Sequence, residues 1–100
     1  MANQEYLVER VVMISGTERA KQELKTILVD SGAGLDEGLR LLPLDSGELA
    51  LGIDTEMSAD QVVEYEGYKV LLIGIEYLQF LNGKTVDCQD TEDGAVLFIR

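Results

Sequence analysis

The sequence feature that most constrains the fold is the apolar run Tyr68–Ile73 (YKVLLI), which opens the densest apolar stretch of the chain, residues 67–99. A strand that is apolar along almost its whole length is typical of one buried on both faces. Residues 62–65 (VVEY) favour a second strand, joined to the first through Glu66-Gly67. The sequence therefore predicts a pair of strands, one of them covered on both sides.

The length and composition of the chain indicate one globular domain. The chain has 100 residues, of which 46% are hydrophobic and 27% charged. A chain of this size buries roughly two thirds of its unfolded surface, which is enough for one core. We expect a single domain over residues 13–100, preceded by an N-terminal extension or edge strand at 1–12.

One segment has the pattern of an amphipathic helix, predicted over residues 17–30. Thr17 can cap it through its hydroxyl, and the next residue is an acid that favours the positive end of the helix dipole. One apolar stripe follows at helical spacing, formed by Ala20, Leu24, Ile27 and Leu28. Gly32 or Gly34 can then supply the left-handed residue that ends the helix. We expect this helix to pack on the sheet by one face.

The other segments are short and mostly extended. Strands are predicted at 11–14, broken by Ser15-Gly16-Thr17, at 39–42 with Pro43 closing it, at 48–53, at 85–88 and at 95–99. Turns are predicted at Asp45-Ser46-Gly47 and Asn82-Gly83, and a loop at 54–60. Residues 75–81 fit both a strand and a short helix, and helical spacing is favoured. The predicted class is mostly β (α+β), with a compact mixed sheet and no doubly wound arrangement.

The charge of the chain excludes several partners. Nineteen acidic residues against eight Lys and Arg give a net charge of −11, which repels nucleic acid and anionic membranes. No apolar run approaches the about eighteen residues of a membrane span, and the first ten residues lack a signal-peptide pattern. One cysteine cannot form an internal disulfide, which fits a reducing compartment. We expect a cytoplasmic protein.

The residue types present exclude most familiar catalytic sites. The chain has no histidine, so it has neither a Ser-His-Asp triad nor a Cys-His pair. No P-loop is present, and the glycines do not form a G-x-G-x-x-G pattern. Glu64, Glu66 and Glu76 are not spaced as a pair for acid-base work. We therefore expect no enzymatic activity.

Two features near the C-terminus are candidates for binding chemistry. Cys88 lies on a predicted strand, where a half-buried core position is the simplest interpretation, and the acids beside it would raise the thiol pKa. The carboxylates Asp87, Asp90, Glu92 and Asp93 lie within seven residues. Hard cations prefer oxygen ligands, so weak metal binding there is an alternative to a solvated acidic turn.

Several short motifs occur in an order that resembles a known family. They are Ile14-Ser15-Gly16-Thr17 before the helix, Gly38-Leu39-Arg40, residues 66–71 (EGYKVL), residues 80–87 (FLNGKTVD) and residues 94–98 (GAVLF). Residues 80–87 are the most specific, because they look like a Tyr-Leu-x-Gly-x-x-Ile-Asp signature. Together these motifs resemble the HesB/IscA family of A-type iron-sulfur carriers, over nearly the whole chain.

The resemblance implies a mostly β domain, a sheet folded on itself, with the early helix packed against it. It also implies a ligand set that this sequence lacks. Family members use three cysteines: one falls near Asp45 or Ser46 here, and a Cys-x-Cys pair would come beyond Arg100. Cys88 falls instead where the family usually has an aromatic residue. We therefore expect no bound cluster and predict no cofactor.

The resulting hypothesis is a degenerate HesB/IscA-like domain that acts as a non-enzymatic accessory or protein-binding module. Its expected partners are iron-sulfur assembly proteins, and self-association stays open. Tyr77, Phe80 and Leu81 would belong to the contact surface if exposed, although core packing is favoured for Phe80 and Leu81. The alternative is weak binding of iron or another hard metal through the carboxylates of Asp45 and residues 87–93.

Overall fold

The computed structural model describes residues 14–44 and 49–100. The predicted N-terminal segment 1–12, the predicted strand at 11–14 apart from its last residue, and the predicted turn at 45–47 therefore lie outside the described residues. The elements, in chain order, are β1 (Ser15–Gly16), α1 (Glu18–Asp30), β2 (Glu37–Pro43), β3 (Leu49–Thr55), β4 (Gln61–Tyr65), β5 (Tyr68–Ile73), α2 (Ile75–Leu81), β6 (Thr85–Thr91) and β7 (Gly94–Ile99). Strands dominate, as the sequence predicts. The short helix favoured at 75–81 is confirmed.

The strands form two mixed sheets. One has four strands in the order β3-β2-β5-β4, and the other has three in the order β1-β6-β7. The β2–β5 and β1–β6 pairs are parallel, and the other pairs are antiparallel. The predicted mixed, folded β architecture is confirmed.

Strand β5 is the buried strand that its sequence predicts. It lies between β2 and β4, and residues 70–73 are all buried. The registers of β5 with β4 and of β5 with β2 both shift at Val70. Val63 of β4 pairs with Leu71, whereas Glu64, the next residue, pairs with Lys69. This bulge gives β5 one extra residue and disturbs the alternation of its side chains. Consecutive apolar residues are therefore buried without a polar one between them.

Helix α1 forms as its capping and spacing predict. Thr17 caps it by accepting a hydrogen bond from the backbone N–H of Ala20 at 3.1 Å. Ala20, Leu24 and Leu28 are buried between the helix and the sheets, and Gly32 follows with φ of 72°. Within the described ranges, no helix is long and apolar enough to cross a membrane.

Three predicted boundaries are wrong for one physical reason. Ser15 and Gly16 form β1 instead of breaking a strand, because Ser15 N donates to Lys84 O and Thr17 N donates to Val86 O. Strand β6 continues to Thr91, well past the predicted end, and β3 reaches Thr55. In each case pairing with a neighbouring strand overrides weak local propensity.

The core lies between the two sheets and α1. Its buried members are Ile14, Ala20, Leu24, Leu28, Leu39, Leu41, Val70, Leu71, Ile73, Leu81 and Val86. The Gln61 side chain joins the sheets at one corner, since its amide accepts from Ile14 N at 3.0 Å and donates to Ile14 O at 2.8 Å.

Candidate functional site

Asp87, the first of the predicted carboxylate ligands, is occupied by hydrogen bonds. Its Oδ1 accepts from the Thr17 hydroxyl at 2.9 Å and from Cys88 N at 2.7 Å, and its Oδ2 accepts from Arg100 Nε at 2.7 Å. The Cys88 N–H, with Arg100 and Thr17, lowers the pKa of Asp87. Because Thr17 also caps α1, its hydrogen bond to Asp87 connects the start of the helix to β6.

Asp90, the second predicted ligand, is bound by an arginine of α1. Arg19 donates from Nη2 to Asp90 Oδ1 at 2.6 Å and from Nε to Asp90 Oδ2 at 3.1 Å. Arg19 also reaches Glu23, one turn along the helix, at 3.3 Å. The guanidinium lowers the pKa of Asp90. Both carboxylate oxygens therefore already have a cationic partner.

The remaining predicted ligands do not meet these two at a common point. Glu92 and Asp93 form the exposed two-residue turn between Thr91 and Gly94, and Asp45 lies outside the described residues. In the part of the chain that the structure describes, no group of three or more His, Cys, Asp or Glu could hold a metal ion. The structure spreads the described acids along the β6–β7 hairpin, from Asp87 opposite Phe98 to Glu92 and Asp93 in the turn.

Cys88 is half-buried on β6 and packs against the core, as predicted. Burial raises the pKa of its thiol, and Asp90 and Asp87 raise it further, while Arg19 acts in the opposite direction. The pKa is therefore higher than the ordinary value. A thiol in this environment is mostly protonated at neutral pH and is a weak ligand or nucleophile.

A second carboxylate network, which sequence reasoning missed, lies on the four-stranded sheet. Arg40 donates from Nη1 and Nη2 to the two carboxylate oxygens of Asp60, both at 2.8 Å, and from Nε to Asp54 at 2.8 Å. It also donates to Thr55 O, while Asp60 accepts from Met57 N. The side chain of Asp60 is only 3% exposed and that of Arg40 11%. Arg40 lowers the pKa of both carboxylates. One signal was available, because an arginine within an apolar strand needs a carboxylate partner.

Helix α2 leaves two large apolar side chains exposed, with Glu76 and Gln79 between them on its outer side. Ile75 is 63% exposed and Phe80 is 75% exposed, whereas Leu81 is buried and Tyr77 is half-buried. The expectation of core packing is confirmed for Leu81 and wrong for Phe80. A seven-residue helix offers apolar residues on both arcs, and only the arc with Tyr77, Leu78 and Leu81 meets the core.

An apolar groove lies next to this helix. Its volume is about 250 Å³, and Leu42, Met57 and Ile75 lie along it above the Arg40 network. All three side chains are exposed. We call these three residues together with Phe80 the α2 surface. Exposed apolar side chains in a groove and on the adjoining helix are typical of a protein-binding surface.

A second, larger groove of about 430 Å³ runs along α1, and several of its polar groups are already paired. Lys25 Nζ binds Glu66 Oε1 at 2.6 Å and lies 5.2 Å from the centre of the Tyr68 ring. The Tyr65 hydroxyl donates to Glu18 Oε2 at 2.7 Å. Glu66 raises the pKa of Lys25, and Glu18 raises that of Tyr65. This groove therefore offers less apolar surface than the α2 side.

Comparison with solved structures identifies the fold. The chain is similar to IscA, in a crystal structure with a 2Fe-2S cluster, at 19% identity and a TM-score of 0.60, covering 88% of this chain and 84% of IscA. It is similar to Escherichia coli SufA, described as involved in biosynthesis of iron-sulfur clusters, at 16% identity and a TM-score of 0.63, covering 87% and 83%. A protein from Aquifex aeolicus, solved by NMR, matches at 26% identity and a TM-score of 0.64 over 98% of both chains.

These similarities confirm the fold predicted from the sequence motifs. The chain has the HesB/IscA-like fold, that of A-type iron-sulfur carriers. No protein-family model matches the sequence, and no curated protein matches it either. The fold is therefore recognised through structure and through the short motifs.

Proposed function

We propose that this protein is a non-enzymatic accessory module of iron-sulfur cluster assembly that binds other assembly proteins in the cytoplasm and does not itself hold a cluster by the three-cysteine mechanism. One observation carries the proposal: a carrier's fold is combined with a sequence of 100 residues that contains a single cysteine. The fold supports a place in this pathway. The residue chemistry supports a role other than carrying the cluster.

The argument against cluster binding rests on ligand chemistry. A cluster requires about four ligands, mostly thiolates. The position expected for the first ligand cysteine carries Asp45 and Ser46. Cys88 lies on a strand next to Asp87, and burial raises the pKa of its thiol. Two copies of this chain would bring two such thiols, which is too few.

Anaerobic reconstitution with ferrous iron and sulfide tests this part of the proposal. We expect no visible absorption in proportion to protein after gel filtration, and the same result for the Cys88→Ser variant. IscA treated in parallel serves as the positive control. A stable chromophore stoichiometric with the wild-type chain would overturn the proposal. Its loss in the Cys88→Ser variant would assign the cluster to that thiol.

The α2 surface is the proposed binding surface for assembly proteins. Ile75 and Phe80 are among its exposed side chains, and the adjoining groove adds Leu42 and Met57. The Arg40 guanidinium beneath the groove is paired with the carboxylates of Asp54 and Asp60, so it leaves no unpaired cation there. Binding by burial of apolar side chains is consistent with this surface.

A co-purification experiment from a cytoplasmic extract tests the surface. We expect the wild-type chain to recover iron-sulfur assembly proteins. The Phe80→Asp variant should recover less than about one tenth of the wild-type amount. Leu35→Asp is the matched control, because Leu35 is 85% exposed and lies outside the α2 surface. If all three chains recovered only unrelated proteins, the proposed role in iron-sulfur cluster assembly would be wrong. If all three chains recovered assembly proteins equally, the α2 surface would not be the binding surface.

A further inference from the structure

The groove beside α2 has the size of a site for a protein side chain. Its exposed apolar side chains are Leu42, Met57 and Ile75. Its volume of about 250 Å³ lies below the range of roughly 300–1,000 Å³ that is usual for small-molecule sites. Large side chains of one protein that enter a pocket of another contribute most of the binding energy of many interfaces. The groove therefore fits one large side chain of a partner protein better than a separate small molecule.

The charged side chains of the groove leave an excess of negative charge. Asp54, Asp60 and Glu76 line it, and Arg40 is the single cation among its described lining residues. Arg40 binds Asp54 and Asp60. In the described part of the chain, no Lys or Arg binds Glu76, whose side chain is exposed. Three carboxylates against one guanidinium give the groove a net charge of −2.

A glycine gives the Glu76 carboxylate its place in the groove. Gly74 precedes α2 as its N-cap residue, and a Cβ atom added there would collide with Oε1 of Glu76. The carboxylate therefore occupies the space that a side chain at residue 74 would fill. Both residues line the groove together with Ile75. An exposed carboxylate thus lies directly beside the apolar walls.

This combination decides which side chains can cover the groove. A purely apolar occupant would remove water from Glu76, and from Asp54, whose side chain is 37% exposed, without supplying a partner. Removing water from a charged group without a partner costs free energy. An acidic occupant would add repulsion from a chain of net charge −11. A cation next to an apolar side chain offsets the lost hydration and is attracted by the same net charge.

We propose that the groove binds a segment of another protein in which a large apolar side chain stands next to Arg or Lys. The apolar side chain packs between Met57 and Ile75, and the cation binds Glu76, with Asp54 as a further acceptor. A second copy of this chain is disfavoured as the occupant because it brings the same net charge of −11. The inference rests on the proposed function, since it states the chemistry of the partner that the α2 surface selects.

NMR titration of the purified 100-residue chain with short peptides tests the proposal. The probe is a hexapeptide with blocked ends, Gly-Ser-Phe-Arg-Ser-Gly. We expect it to shift the methyl signals of Leu42, Met57 and Ile75. A peptide with the neutral citrulline in place of arginine should bind about fivefold more weakly, and one with alanine in place of phenylalanine about tenfold more weakly. Unchanged methyl signals, or equal binding of the arginine and citrulline peptides, would overturn the proposal.

Two variants of equal net charge test whether the groove itself selects the cation. Glu76→Gln should remove most of the preference for the arginine peptide over the citrulline peptide. Glu92→Gln is the matched control, because Glu92 is exposed in the β6–β7 turn and does not line the groove. It should keep the preference. An equal loss in both variants would assign the attraction to the overall charge and would overturn the role of Glu76.

The peptide titration and the co-purification experiment fail separately, because the titration requires no assembly protein. If the α2 surface recovers assembly proteins but arginine gives the peptide no advantage, the proposed function stands and the proposed partner chemistry is wrong. If the arginine peptide is preferred and no assembly protein is recovered, the partner chemistry is supported and the role in cluster assembly is wrong.

Discussion

Two carboxylates bind partners from distant parts of the chain, and they do so in different surroundings. The side chain of Asp60 is only 3% exposed and binds Arg40 through two hydrogen bonds of 2.8 Å. Asp87 is more exposed and holds Thr17 and Arg100, whose polar groups can turn to water. The number of bonds is similar. What differs is the state in which each partner is left when the carboxylate is removed.

The difference indicates that burial of the partner, more than the count of bonds, sets the cost of losing a carboxylate. Without Asp60, a guanidinium that is 11% exposed keeps only Asp54 as a charged partner. An uncompensated buried charge is strongly destabilising. Without Asp87, the freed donors regain hydration. The four predictions below test this comparison.

The largest effect is expected for Asp60→Ala. We expect the free energy of unfolding to fall by about 3 kcal/mol, because Arg40 loses a buried partner. Urea denaturation measures the change, and Asp54→Ala is the control, since Asp54 binds the same arginine from a more exposed position. A loss no larger for Asp60→Ala than for Asp54→Ala would contradict the role given to burial.

Acid should destabilise the protein through the same carboxylates. Arg40 lowers the native pKa of Asp60, and the Cys88 N–H lowers that of Asp87, below an unfolded value of about 3.9. Their stabilisation is therefore complete above that value and is lost as the pH falls through the native pKa. We expect Asp60→Asn to flatten the acid limb of a stability-against-pH curve. An acid limb unchanged by Asp60→Asn would exclude Asp60 as its source.

A smaller effect is expected for Thr17→Ala. The substitution removes the helix cap at Ala20 N and the hydroxyl bound to Asp87, and we expect a loss of about 1 kcal/mol. Thr17→Ser keeps the hydroxyl and should retain most of the stability. Thermal unfolding of the two variants measures the difference. Equal losses would indicate that the threonine methyl group, and not its oxygen, stabilises this corner.

The smallest effect is expected from metal ions. Calorimetric titration with Fe²⁺ and Ca²⁺ should give no more heat than charge screening, because the oxygens of Asp87 and Asp90 already bind Arg100 and Arg19. The control replaces Glu92 and Asp93 by Gln and Asn, and it should titrate in the same way. A saturable heat that this variant abolishes would instead establish a metal site at the turn.

The parts of the fold that were predictable depend on local sequence. Helix α1 has its cap and its apolar stripe within fourteen residues, and β4 and β5 are joined by a two-residue turn in which Glu66 and Gly67 have φ of 52° and 86°. Strand β1 was not predictable in this way. It exists because Ser15 pairs with Thr85, far along the chain, whereas its own residues favour a break.

The candidate site was predictable in composition but not in arrangement. The sequence shows the acids around Asp87, but their partners Arg19 and Arg100 come from other elements. Asp60 looks like an ordinary loop acid until Arg40, twenty residues earlier, is placed beside it. Phe80 illustrates a different limit, because the apolar pattern of a short helix cannot specify which arc meets the core.

The tripeptide Gly38-Leu39-Arg40 separates recognition of a fold from recognition of a chemistry. A Cβ atom at Gly38 would lie 2.4 Å from Lys69 O, so β2 can approach β5 there only without a side chain. Leu39 is buried in the core, and Arg40 binds the acids of the neighbouring loop. All three residues hold β2 in its place in the sheet and against the core. A search with such a motif would therefore retrieve chains that share this strand arrangement whether or not they carry metal.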